Sequence, residues 1–307
     1  MSLDLVQLVL VTVVTAATPL FLAALGELVA ERSGVLNLGV EGMMVMGAAC
    51  AFAAAYLTGS TLVGALAGVA VGALMALLFG LLTVVFAVSQ VAAGLALTIF
   101  GLGLSGLVGS GFVGLKREAA PHLFIPGLTD LPLVGHLVFG EDAFVYAAIL
   151  LAFAVSRVLR RTRAGLVLRA VGDNHASAHA LGVPVLRVRL LAVLFGGACA
   201  GLGGAYLSLS YTPFWAPEMT AGRGWIALAL VVFASWRPWR ALAGAILFGG
   251  ATVLQLQAQA SGLGLPGQLM SSVPYLVTLL ALVVLSLRRG SGSVAPAMLG
   301  TAFVPDR

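Results

Sequence analysis

Residues 156–189 read SRVLRRTRAGLVLRAVGDNHASAHALGVPVLRVR, and this stretch decides the fold. It contains seven arginines, at positions 157, 160, 161, 163, 169, 187 and 189, in a chain with only 16 Lys and Arg residues. Long apolar stretches lie on both sides of it. Connections between membrane spans that are rich in Lys and Arg stay on the cytoplasmic side. The stretch therefore predicts a membrane protein whose 161–186 loop faces the cytoplasm.

The 161–186 loop contains the signals for one short helix. Asp173 or Asn174 is suited to cap its N-terminus, and Gly182 followed by Pro184 is suited to end it. A compact helix that a membrane protein presents to the cytoplasm predicts a partner protein there.

The composition of the chain sets its broad class. The 307 residues are 61% hydrophobic and only 9% charged, which excludes an ordinary soluble domain and predicts an all-α, polytopic transmembrane bundle. The formal net charge is +5, but the basic residues concentrate in connections between apolar segments. The charge therefore reports membrane topology, and we expect no nucleic acid polymer as a partner.

Hydropathy predicts about eight to ten spans. The candidates are 5–29, 43–58, 61–88, 95–113, 143–160, 187–208, 224–235, 241–258 and 273–287. The 224–235 segment is shorter than the roughly 20 residues that a straight span needs. Residues 1–290 are predicted to form the transmembrane domain and residues 291–307 a flexible cytoplasmic tail.

Fixing the 161–186 loop in the cytoplasm sets the side of every other connection. The predicted cytoplasmic connections are 30–42, 236–240 and the tail from Arg288. The predicted outer loops are 114–142, 209–223 and 259–272. Small residues four apart in 64–80 and in 195–210 also predict that these helices pack closely against neighbours.

Two glycine-containing segments interrupt the apolar pattern. Residues 34–42 read GVLNLGVEG, and residues 217–224 read PEMTAGRG. Non-helical backbone at membrane depth is tolerated only where protein or a wet cavity satisfies it. A pair of such segments in the two halves of a transporter points to a central pathway, although both could be ordinary interfacial loops. The predicted hinges are Gly34, Gly39, Gly42, Gly222 and Gly224.

Polar residues in or beside these segments are the candidates for the substrate pathway. They are Glu27, Glu41 and Arg223, because ionisable groups within spans are functional candidates by default, with Asn37 and Gln90 as polar companions. We expect Asn37 and Glu41 to hold the interrupted helix. Two other roles for Glu41 stay open, namely an ion pair with Arg32 or the capping of a half-helix.

An aromatic group lies near the predicted outer mouth. Trp215 is included among the pathway candidates because it could stack on a base, together with Phe214 and Trp225. The alternative is an aromatic belt at the membrane interface.

The sequence contains few signs of chemistry. It has no GxxxxGK[ST], HExxH or CxxC motif. His175 and His179 are four residues apart, as two metal ligands on one helix would be, but no third ligand lies nearby. We therefore expect neither an enzyme nor a bound metal or cofactor.

Four stretches carry a resemblance to a known family. They are ERSGVLNLGVEGMM at 31–44, the cytoplasmic pattern from Arg163-Ala-Gly to Gly182, MTAGRGWIALA at 219–229 followed by Leu247-Phe-Gly249, and Leu265-Pro with Val273-Pro-Tyr275. The chain resembles the permease subunits of bacterial ATP-binding-cassette (ABC) importers in the branched-chain amino acid and ribose permease family. It is most similar to the shorter permease of nucleoside uptake systems.

The resemblance implies a division of labour in the bacterial inner membrane. A separate ATPase carrying ATP and Mg²⁺ would bind the 171–182 helix, and a solute-binding lipoprotein would deliver the solute from outside. A second, different permease chain would complete a heterodimer, with a homodimer as the other arrangement. The residues implied in ATPase coupling are Arg163, Gly165, Arg169, Gly172, Asp173, Asn174, Ala178 and Gly182.

Some of these positions also have simpler interpretations. Arg163 and Arg169 either pair with acidic groups of a partner or only hold the topology. Gly172 is expected to serve the turn into the helix. His175 stands where members of the family usually carry proline.

The substrate follows from the resemblance alone. It implies a nucleoside, whereas a branched-chain amino acid or a simple sugar such as ribose would use the same mechanism. An ion-coupled secondary transporter is the alternative from another class, but the acidic and histidine relays that it would need are sparse within the spans.

Overall fold

The computed structural model describes residues 3–123, 139–260 and 295–304, together with residue 126 and residues 269, 272–277, 280 and 283. The described part is a helical bundle. Its helices are α1 (Leu3–Arg32), α2 (Val40–Thr58), α3 (Thr61–Gly80), α4 (Gln90–Gly109), α5 (Ala143–Arg161), α6 (Arg163–Asp173), α7 (His175–Ala180), α8 (Val185–Tyr206), α9 (Arg223–Phe233) and α10 (Pro238–Ala260).

Seven helices of the described residues are long and apolar enough to cross a membrane. They are α1 to α5, α8 and α10, with α3 and α8 each prolonged by a π-helical turn. These seven confirm the seven longer spans predicted between residues 5 and 258. The short 224–235 segment is α9, an 11-residue helix. The predicted span 273–287 lies largely outside the described residues.

Glycines bring α3 and α8 into close contact at the centre of the bundle. A Cβ added at Gly72 would clash with the backbone of Gly197 and Gly201, and one added at Gly201 would clash with the Gly68 carbonyl. Without side chains between them, the two backbones approach closely, which is how helices gain packing energy in lipid. The prediction from residues 64–80 and 195–210 is confirmed, and the two segments are each other's neighbours.

The connections segregate to the two ends of the bundle as the charge pattern predicts. At one end, Arg32 Nη2 donates to the Trp236 carbonyl and Arg189 Nε donates to the Ser33 carbonyl. At the other end, Arg117 Nη2 donates to the Gly59 carbonyl. The first end joins the predicted cytoplasmic connections, and the second joins the predicted outer ones.

Residues 295–304 pack against the cytoplasmic end, although they fall in the segment expected to be a flexible tail. The Gly300 amide donates to the Gly34 carbonyl at 3.1 Å, and the Met298 amide donates to the Gly172 carbonyl at 2.9 Å. Phe303 is buried and lies against His175. These contacts fix the segment, which we call the C-terminal strap, to the first interrupted segment and to the cytoplasmic loop.

Candidate functional site

Residues 35–39 of the first interrupted segment are non-helical and lie within the bundle. The Leu36 amide donates to Oε1 of Gln90, at the start of α4. The Leu38 carbonyl accepts from Thr98 Oγ1, eight residues further along α4, which is about 12 Å at 1.5 Å per residue. The segment therefore climbs from the cytoplasmic end into the bundle before α2 begins.

Buried polar side chains satisfy the backbone of this segment. Asn37 is fully buried, and its backbone amide donates to Glu27 Oε1 at 3.0 Å. Its side-chain oxygen accepts from the Gly39 amide at 3.0 Å, and its Nδ2 contacts Met43 Sδ at 3.5 Å. Asn37 and Glu27 thus supply the partners that lipid cannot.

Glu41 joins the two interrupted segments. Its Oε1 accepts from Thr220 Oγ1 at 2.6 Å and from the Gly222 amide at 2.9 Å, and its Oε2 accepts from the Gly224 amide at 2.6 Å. The carboxylate therefore caps the N-terminus of α9, where helix geometry leaves amides free and favours negative charge. Of the roles predicted for Glu41, the structure shows half-helix capping. Arg32 instead donates a hydrogen bond to the Trp236 carbonyl.

The five predicted hinge glycines serve two different physical needs. Gly34 and Gly222 have φ angles of +89° and +79°, a region that favours glycine. Gly39, Gly42 and Gly224 are instead positions of close approach. A Cβ at Gly42 would meet the backbone of Leu97 and Thr98, and one at Gly224 would meet the backbone of Glu41.

Arg223 and Trp215 lie apart from the capping carboxylate. Arg223 Nη1 donates to the Met219 carbonyl at 3.1 Å, and its guanidinium lies 5.7 Å from the centroid of the Tyr211 ring. Trp215 is 1% exposed and packs against Phe52 and other residues of α2. It therefore occupies neither an open mouth nor an interfacial belt in this structure.

Trp225 is the aromatic residue that combines exposure with contact to the junction of the two segments. Its side chain is 46% exposed, and its Nε1 lies 3.4 Å from the Leu38 carbonyl. Within the described chain, it is better placed than Trp215 to meet a solute at this depth.

A buried polar cluster at the outer end was missed by the sequence analysis. It comprises Glu141, Asp142, Tyr206 and Ser210. Asp142 caps α5 through the amides of Phe144 and Val145, and its other oxygen contacts Ser210 Oγ.

Glu141 is 1% exposed, and neither of its carboxylate oxygens has a partner among the described residues. Burial, with a smaller effect of Asp142, raises the pKa of Glu141 to about 7. In the sequence, two consecutive acidic residues directly before an apolar span were the pattern that could have indicated this cluster.

The cytoplasmic loop contains two helices, and not the single helix that we predicted. Thr162 caps α6, and Asn174 caps α7 by accepting from the Ser177 amide at 2.9 Å. Asp173 is the last residue of α6, so Asn174 is the cap. α7 has six residues, or about 9 Å of helix. Gly182, with φ +83°, follows it.

Gly165 and Gly172 are positions of close approach. A Cβ at Gly172 would clash with the Arg32 carbonyl, and one at Gly165 would clash with the Val158 carbonyl. Our interpretation of Gly172 as a turn position is wrong, because it lies within α6. Backbone contact at Gly172 ties the loop to the end of α1.

The remaining predicted coupling residues divide between buried and exposed positions. Ala178 is buried beside Phe303. Arg163 and Asp173 are exposed, while Arg169 is half-buried and donates from Nε to the Gly165 carbonyl at 3.3 Å. Leu181, which the sequence pattern did not single out, directly follows α7 and is 85% exposed. An exposed leucine at a loop tip is a candidate contact for another protein.

The two histidines of α7 face the C-terminal strap. Their ring centroids lie 5.0 Å (His175) and 5.3 Å (His179) from that of Phe303. His175 Nδ1 also lies 3.0 Å from Arg189 Nη2. Burial and then the Arg189 charge lower the pKa of His175. The residues that the structure describes contain no group of three or more potential metal ligands.

Comparison with known proteins places this geometry in context. Residues 9–285 match the family described as branched-chain amino acid transport system / permease component. A Haloferax volcanii protein provisionally named as a glucose ABC transporter permease, TsgC13, is 43% identical over 88% of both chains. No solved structure matches the chain.

Two further relatives have names that refer to nucleosides. The guanosine ABC transporter permease protein NupQ of Bacillus subtilis is 33% identical over 91% of this chain and 93% of its own. The nucleoside ABC transporter permease protein NupC of Lactococcus lactis is 28% identical over 98% of both chains.

Proposed function

Because the chain belongs to the family of branched-chain amino acid transport system permease components, we propose that it forms the membrane path of an ABC importer for nucleosides. A separate cytoplasmic subunit, carrying ATP and Mg²⁺, supplies the energy. The chain itself is a multi-pass membrane subunit, and its site is the inner membrane of a bacterial cell.

The observation that carries the ATP-driven mechanism is the construction of α7. This short helix is capped by Asn174, followed by Gly182 and held to the bundle by its contacts with Phe303 of the C-terminal strap. At its tip, Leu181 is 85% exposed. A rigid lever with an apolar tip is what a soluble partner needs in order to push on a membrane domain.

The path for the solute is built around the two interrupted segments. They meet inside the bundle at Glu41, and their polar groups are satisfied by Asn37, Gln90 and Thr220. Such a junction allows non-helical backbone to line a pathway. In this proposal the polar side chains hold the walls of the path, and Trp225 offers a ring face to the solute.

The other partners follow from the division of labour in such importers. A second permease chain completes the path, as a heterodimer, and a solute-binding lipoprotein delivers the substrate from outside. The outer loops near Arg117 and Phe214 are the surface available for that delivery.

Two relatives with nucleoside names support the nucleoside substrate. A simple sugar is the second candidate, because the relative at 43% identity carries a glucose name. Both solutes present a hydroxylated ring, so the transport experiment has to compare them directly.

Uptake by cells that express the permease with its neighbouring transporter genes tests the proposal. We expect uptake of radiolabelled guanosine or adenosine that is lost when the ATPase gene is deleted. Leu181→Asp should abolish uptake and the co-purification of the ATPase. Thr58→Asp, the same charge at an exposed outer position, should leave both intact.

The alternatives give different results in this experiment. Uptake of glucose or ribose, or of leucine, without nucleoside uptake would replace the substrate and keep the mechanism. Uptake that persists without the ATPase would contradict the mechanism and indicate a secondary transporter.

A further inference from the structure

Four arginines line a small cavity at the cytoplasmic end of the bundle. The cavity measures about 280 Å³ and is lined by Arg32, Leu159, Arg160, Arg169, Trp236 and Arg237. Arg32 Nε is buried without a hydrogen-bond partner among the described residues. Two carboxylates act electrostatically on Arg32, namely Asp173 and Glu31. Glu31 also accepts a hydrogen bond from the Trp236 indole. Positive charge therefore dominates the cavity.

An apolar groove of about 550 Å³ lies between α1, α5 and α10. Its walls include Phe21, Ile149, Phe153, Leu242 and Ile246. Phe153 is 58% exposed, so the groove is open beside this residue. In a bilayer, an open apolar groove between spans faces lipid chains.

The groove and the cavity share α1 and α5, while Arg169 of the cavity lies on α6 and Arg237 lies just before α10. α1 ends at Arg32, α5 carries Leu159 and Arg160 in its last turn, and α10 follows directly after Arg237. From Phe153 to Arg160 is seven residues of one helix, or about 10 Å. Arg160 therefore lies about two helical turns beyond Phe153, toward the cytoplasmic end of the bundle. Glu141, the acidic residue of the groove, lies at its other end.

We propose that this surface binds one anionic phospholipid of the cytoplasmic leaflet, with the phosphate among the four arginines and an acyl chain along the groove. Guanidinium groups suit phosphate because they donate several hydrogen bonds in a fixed fork. Basic pockets between spans on the cytoplasmic side bind anionic head groups. A positively charged cavity beside an apolar groove fits a molecule that has both an anionic head group and an acyl chain.

The four arginines and the apolar groove, taken together, favour a lipid over a protein as the occupant of this surface. An acidic side chain of the ATPase would match the arginines but would leave the groove unfilled. A helix of a second permease would fill the groove but would bring nothing to neutralise four guanidinium groups. A phospholipid satisfies both halves of the surface.

Native mass spectrometry of the purified full-length permease tests the proposal. The probes are phosphatidylglycerol and phosphatidylcholine with the same acyl chains. We expect phosphatidylglycerol to bind at least about tenfold more tightly. The double variant Arg160→Gln/Arg237→Gln, at two exposed positions that line the cavity, should lose about 30-fold in that affinity. Arg161→Gln/Arg240→Gln removes two exposed arginines that do not line it, and should change nothing.

Two further measurements distinguish a bound lipid from other occupants of this surface. Ile246→Trp, which fills the groove, should weaken phosphatidylglycerol binding although every arginine remains. The bound lipid should persist when the ATPase and the second permease are present. Equal losses in the two arginine pairs, displacement by inorganic phosphate, or loss of the lipid on assembly would each overturn the proposal.

Discussion

The Gly224 amide donates a 2.6 Å hydrogen bond to Glu41, 183 residues earlier in the chain. This contact makes the first turn of α2 the cap of α9. Because a Cβ at Gly224 would meet the Glu41 backbone, the two helix starts touch with nothing between them. A shift of one interrupted segment would therefore be transmitted directly to the other, as the proposed solute path requires.

Glu41→Gln should weaken this junction. The amide keeps one acceptor, but its NH₂ group would face a backbone donor, at a cost of about 2 kcal/mol. We expect the midpoint of thermal unfolding in detergent to fall by about 5 °C and solute uptake to be lost. Glu218→Gln, at an exposed carboxylate of the same segment, is the control. An unchanged midpoint for Glu41→Gln would contradict the capping role.

Gly201→Ala should separate α3 from α8. The added methyl would clash with the Gly68 carbonyl, and overpacking of this kind costs about 1–3 kcal/mol. Gly103→Ala is the matched control, because a Cβ there meets nothing within 4 Å. Thermal unfolding of both variants checks the prediction, and equal midpoints would show that the close contact is unimportant.

Hydropathy predicted the seven long helices, and charge predicted which of the described connections share an end of the bundle, because both depend on the surrounding solvent. Lipid demands long apolar helices, and arginines such as Arg160 and Arg161 resist crossing it. The close packing of Gly72 and Gly201 was predictable for the same reason, since small residues have little other use in a span.

The loop and the strap depend on contacts that no local pattern encodes. Gly172 weakens helix propensity, yet α6 continues through it, and the nearby Arg32 carbonyl leaves no room for a side chain at this position. The strap is fixed by backbone hydrogen bonds such as Gly300 to Gly34, which carry no side-chain signal. Trp215 is buried while Phe214 beside it is exposed, and only tertiary packing decides between the two.

Asn174→Ala should destabilise α7 selectively. Loss of an N-cap costs about 1 kcal/mol, which is a large fraction of the stability of a six-residue helix. We expect faster hydrogen exchange in residues 175–181 and reduced ATPase stimulation by solute. Asp173→Ala is the control for hydrogen exchange alone, because Asp173 does not cap α7. If the two variants behaved alike, Asn174 would not be the functional cap.

Phe303→Ala should release the C-terminal strap from the cytoplasmic loop. The ring packs against His175 and His179, so its loss removes the side-chain contact between strap and lever. Hydrogen exchange should increase in both 295–304 and 175–183. Val304→Ala, at a neighbour that is 70% exposed, should leave exchange unchanged. Protection that survived in the Phe303 variant would mean that the backbone hydrogen bonds alone hold the strap.

Glu141→Gln should stabilise the protein at alkaline pH. Its pKa is raised from 4.5 to about 7, so the folded state binds its proton more tightly than the unfolded state does. The stability contribution is therefore complete below pH 4.5 and is lost as the pH rises through 7. Glutamine cannot ionise, so the variant should unfold at a higher temperature than the parent at pH 8, with a much smaller gain at pH 5. Glu118→Gln, at an exposed carboxylate of the same outer loop, should show no such pH dependence. A gain of equal size at both pH values would mean that packing, and not a buried charge, accounts for the effect.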